Sequence, residues 1–77
     1  MDKNDMMTKG AIAYIINRLL ENGREAVEDF RKEKNDYNSG RMEAYYELLD
    51  ILQNELSVRD EDLKEYNIDI NLDKEFS

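Results

Sequence analysis

One apolar stripe constrains this chain more than any other feature. Ile12, Ile16, Leu19, Gly23, Ala26 and Phe30 recur at steps of 4, 3, 4, 3 and 4. That is the period of one face of an α-helix. The stripe keeps its phase through Asn22-Gly23, a pair that reads in two ways. It is either a helix C-cap that splits the segment, or a small residue on a buried stripe where the missing side chain admits another backbone. The retained phase favours one continuous helix. A second stripe follows at Tyr37, Arg41, Tyr45, Leu48 and Leu52. The expected fold is therefore all-α: a long helical hairpin, a short third helix and an extended C-terminal tail, pairing into a dimeric helical bundle.

Cap and turn residues set the expected boundaries within a single domain, 1–77. The first helix covers about 6–34, begins at a cap on Asp5 or Thr8, and brings Met6 and Met7 into first-turn contacts. Asn35-Asp36 forms the turn, with Asp36 able to cap the next helix. That helix covers about 37–56. Its buried positions are expected at Tyr37, Gly40, Ala44, Tyr45, Leu48, Leu49, Ile51, Leu52 and Leu56, with Arg41 partly buried and pairing with an acid across the helices. Ser57, followed by Asp60, resembles a capping box opening a short helix over about 58–66. Asn67 suits a left-handed terminator that folds Ile68 back on Leu63. Ile68, Ile70 and Leu72 then alternate with polar residues, the period of an extended strand across the tail, 67–77. A lone strand is unstable. The tail must dock on its own helices, pair with another chain, or order only on a partner.

Size decides how that apolar surface is covered. A core built by 77 residues yields only about 3–5 kcal/mol, and small domains usually add a staple. Cys and His are both absent, which removes disulfides, thiolate zinc sites and the commonest general base. Self-association remains, so a homodimer is expected, the alternative being a monomer closed by its own C-terminal segment. The candidate interface residues are Ile16, Leu20, Phe30, Tyr46, Leu49 and Ile51. Adjacent tyrosines diverge by about 100° on a helix, which turns Tyr45 inward and Tyr46 towards an interface.

Charge narrows the partners. Nineteen acids against eleven bases leave a net charge of −8. Residues 57–77 hold seven of the acids and three of the bases. Bases alternate with acids, so the clustered cations needed to bind nucleic acid or an anionic membrane directly are missing. A partner drawn by charge is basic. No run approaches the roughly 20 apolar residues of a membrane span, and the first residues lack the pattern of a signal peptide. A cytoplasmic location is expected.

Two patterns of acidic residues bear on chemistry. Asp69, Asn71 and Asp73 match the first ligand positions of a calcium loop, but Lys74 stands where glycine is required and the twelfth-position glutamate is missing. Glu43, Glu47 and Asp50 share one flank of the second helix without a nucleophile, a base or a phosphate-cradling loop beside them. Neither supports a catalytic, cofactor or metal site, so no cofactor and no enzymatic activity are expected.

The run Tyr37-Asn38-Ser39-Gly40-Arg41-Met42-Glu43-Ala44-Tyr45-Tyr46-Glu47-Leu48-Leu49-Asp50 resembles a stretch in small uncharacterised helical proteins of low-GC Gram-positive bacteria and their prophages. The shared pattern is Gly-Arg, then Ala-Tyr-Tyr-Glu, then Leu-Asp. The resemblance implies a helix over 37–56 and a bacterial or phage origin, and carries no activity. The function expected is a non-enzymatic protein–protein interaction or accessory module acting as a homodimer. The alternative is an acidic inhibitor that mimics DNA and blocks a basic nucleic-acid-binding surface.

Overall fold

The computed structural model describes residues 8–77. The expected contacts of Met6 and Met7 and a cap at Asp5 lie outside the described residues. Helix α1 spans Lys9–Lys32 and helix α2 spans Asp36–Val58. A 3-10 turn at Leu63–Tyr66 and a single turn, α3, at Leu72–Glu75 follow. The chain is all-α, an antiparallel hairpin with the segment 61–77 laid along one side of it as a strap.

Local chemistry accounts for each boundary. The Thr8 hydroxyl accepts the Ala11 N–H and opens α1. The helix runs unbroken through Asn22-Gly23, as the stripe's phase requires. Asn35, rather than Asp36, caps α2, its side-chain oxygen accepting the Asn38 N–H at 2.8 Å. Asn38 then works backwards. Buried in the corner, its amide donates to the Glu33 carbonyl at 2.9 Å and the Asp29 carbonyl at 3.4 Å. Those carbonyls also accept the Glu33 and Asn35 N–H groups, so Asn38 adds a second bond to each at the end of α1. Arg41 reaches Asp29 at 2.9 Å across the turn, the cross-helix pair expected of it.

The second half departs from its expected boundaries. α2 continues through Ser57 and Val58, so Ser57 caps nothing. Asp60 ends the helix in the left-handed region, φ 58, while the Glu61 N–H bonds to the Leu56 carbonyl. Asp tolerates that conformation because its short polar side chain can hydrogen-bond locally. Asp62 caps the short 3-10 turn in place of Ser57. Asn67 takes the left-handed conformation, φ 59, and the Ile68 N–H returns to the Leu63 carbonyl, as expected. The tail is not a strand. Asn71 accepts the Lys74 N–H and opens α3, so the anchors fall at Ile68, Leu72 and Phe76, spaced by four. The period of two survives only around Ile68 and Ile70. Both of their carbonyls accept from the Gln53 side-chain amide, at 2.9 and 2.8 Å, which stands in for a neighbouring strand.

The core lies between the hairpin and the strap. Ile16, Leu20, Val27 and Leu49 from the hairpin close on Tyr66, Ile68, Leu72 and Phe76. Of the positions expected to be buried on α2, Leu49 is in the core and Tyr45, Leu52 and Leu56 pack half-buried against it, but others face outward. Leu49 is fully buried, whereas Leu48 is 48% exposed and Tyr37, Gly40, Ala44 and Ile51 all face outward. Leu49, Gln53 and Tyr46 face the strap, and Leu48 and Ile51 are left on the other side. Phe30 is half-buried and stands apart from the core cluster. Gly23 does meet a close approach, but from a ring and not a backbone: a Cβ there would fall 2.7 Å from Phe76 Cζ.

Three substitutions test this packing. Leu49→Ala is expected to lower the unfolding free energy by about 2–5 kcal/mol in urea denaturation. Gly40, with open space beside it, is expected to give about 0.5–1 kcal/mol of added stability as Gly40→Ala. Gly23→Ala gains the same helix propensity, yet is expected to lower stability because it displaces the Phe76 ring.

Candidate functional site

A hairpin has two broad sides, and the strap covers one. On the other side α2 presents a second stripe. Tyr37 is 74% exposed, Leu48 48%, Ile51 59% and Val58 77%. With Arg41, Ala44 and Glu55 they fall at alternating steps of four and three, the spacing of a seam that packs against another helix. Arg41 and Glu55 each stand seven residues from Leu48. Each already has a partner within the chain, Asp29 for Arg41 and Arg59 for Glu55.

Beside this stripe runs an apolar trough of about 410 Å³ between the helices, walled mainly by Ile12, Ile15, Leu52 and Leu56. Ile15 is 42% exposed. Glu55 and Arg59 stand at its edge. The stripe and trough make a continuous apolar surface on the open side, with ion pairs towards both ends of α2.

A smaller cleft of about 290 Å³ opens under the strap, next to Tyr46, Asp73 and Phe76. The rings of Tyr46 and Phe76 meet edge to face, with centroids 5.9 Å apart. The Tyr46 hydroxyl donates to Asp73, and that bond holds the phenol's pKa above its ordinary value of 10.0. The Tyr66 hydroxyl donates to Glu61 at 2.7 Å and its pKa is raised for the same reason, with burial adding to it. These polar contacts bind the strap down. Lys9–Glu65 at 2.9 Å and Arg24–Glu75 at 2.6 Å extend them along α1.

Of the six residues expected at an interface, Ile16, Leu20 and Leu49 are buried in the chain's own core. Phe30 and Tyr46 are half-buried, and Tyr46 turns to the chain's own Phe76. Ile51 stands on the open stripe. Sequence reasoning missed Ile15 and Leu48 as surface residues. The signal was present in the doublets Ile15-Ile16, Leu48-Leu49 and Ile51-Leu52, because adjacent residues on a helix point about 100° apart.

The acidic patterns disperse. Asn71 caps α3, Asp73 accepts from Tyr46, and Asp69 is exposed. Glu43 and Glu47 lie on the exposed surface of α2, with Asp50 half-buried beside them. Among the described residues no group of three or more acids forms a metal cage. Nor is any helix among them long and apolar enough to cross a membrane. No protein-family model, curated protein or solved structure matches the chain.

The two tyrosine bonds predict an alkaline transition. Both phenols hold their proton more tightly folded than unfolded, so their contribution is complete below pH 10.0 and is lost as pH rises through the raised folded values. Urea denaturation at about pH 9 and about pH 11 is expected to show that loss, and Tyr46→Phe with Tyr66→Phe to reduce it.

Proposed function

We propose that this chain is a non-enzymatic protein–protein interaction module that acts as a homodimer in the cytoplasm. The observation carrying this reading is the second apolar stripe of α2, left uncovered by the strap. Surface apolar residues scattered singly are ordinary, but a continuous ridge beside an apolar trough marks an interaction site. A domain of this size, without a disulfide to staple it, also gains more from association than a larger one.

The acidic-inhibitor reading draws on the net charge of −8. Five of the carboxylates a phosphate mimic would present, on Asp29, Glu55, Glu61, Glu65 and Glu75, are paired with bases of the same chain. That favours the interaction module.

Light scattering across a chromatographic peak, at several protein concentrations and at low and high salt, separates the readings. An apolar homodimer is expected to double the mass and to hold in high salt. A strict monomer at high micromolar concentration removes the homodimer. Binding to a basic nucleic-acid enzyme that collapses with salt establishes the inhibitor instead.

A further inference from the structure

We propose that the occupant of the open stripe is a second copy of this chain, with α2 crossing its own copy antiparallel about a two-fold axis at Leu48. The inference rests on the homodimer reading and specifies the seam. Its argument is charge complementarity built into the spacing. A two-fold axis at Leu48 places each residue opposite the one equally far on the other side. Arg41 and Glu55 lie seven residues before and after Leu48, so each Arg41 meets Glu55 of the copy, and the contact occurs twice. Tyr37 and Arg59 lie eleven before and after, so the exposed Tyr37 ring meets the copy's guanidinium, also twice. Ala44 falls opposite Leu52 and Ile51 opposite Tyr45, a small residue against a larger one in the first case and an aliphatic against an aromatic in the second. Every charged residue of the stripe finds its opposite and no like charges coincide.

The shape agrees. The Leu48–Ile51 ridge stands one turn from the apolar trough of about 410 Å³ walled by Ile12, Ile15, Leu52 and Leu56. A surface carrying both ridge and hollow can receive itself. The molecule is 15 Å across in its thinnest direction, a hairpin with one strap. Adding a copy on the bare side makes the hairpins a four-helix core with a strap on each outer side.

The chain has no cysteine, so single cysteines report the seam directly. Leu48→Cys is expected to form a disulfide-linked dimer under mild oxidation, because a residue on the axis faces itself. Lys74→Cys, on the strap side, is expected not to. Leu48→Glu is expected to raise the dissociation constant by at least about 30-fold, the loss typical of a central interface residue. Its circular dichroism should stay helical, since Leu48 is not in the core. A dimer that survives Leu48→Glu, or cross-links through Lys74→Cys and not Leu48→Cys, overturns this seam and leaves the homodimer standing. A parent protein that scatters as a strict monomer overturns both. Should Leu48→Glu unfold, Ile51→Gln replaces it with the same expected dissociation and the same overturning result.

Discussion

Two helices side by side enclose no interior. Their apolar stripes meet along one line, and each stripe is wider than that line, so a strip of hydrocarbon remains uncovered on both sides. Everything else in this molecule responds to that constraint. The strap removes one of the two strips from water, and its three anchors fix which way each helix is turned. Because Leu49 and Tyr46 roll towards the strap, Leu48 and Ile51 roll away from it. Closing one side and baring the other are a single geometric event.

The strap itself is too short to hold a structure of its own. Its regular elements are four residues each, well under the length at which isolated helices persist. It is held by side chains that treat it as backbone. The Gln53 amide uses both hydrogens on carbonyls of Ile68 and Ile70, and left-handed Asn67 bends the chain into place. At the far end the Phe76 ring occupies the space Gly23 leaves in α1. A helix-weakening residue is thus kept in mid-helix because it forms a socket.

Much of this was legible in the residues, and the gaps have identifiable causes. The continuous first helix followed from the phase of its stripe, and the left-handed turn at Asn67 from residue type. The outward-facing members of the α2 doublets, Leu48 and Ile51, did not follow. Apolar doublets such as Leu48-Leu49 satisfy two stripes equally well, and only the position of a third element chooses between them. The strap was misjudged because three alternating residues, Ile68, Ile70 and Leu72, imitate a strand, while the spacing that governs runs from Ile68 through Leu72 to Phe76. Asn38 and Gln53 gave no periodic signal at all. Their importance lies in carbonyls brought to them by the chain's return, which no local pattern encodes.

The strap also fixes an order of events during synthesis. Its ties to α1 join residues about fifty positions apart, as in Lys9 with Glu65 and Arg24 with Glu75. Helices form from neighbours, but these links wait for distant chain. A nascent hairpin therefore leaves the strap side of Ile16, Leu20 and Leu49 uncovered until the segment carrying Tyr66, Ile68, Leu72 and Phe76 has been made. Until then the newborn chain has two sticky sides, and it is the arrival of its last stretch that gives it an inside.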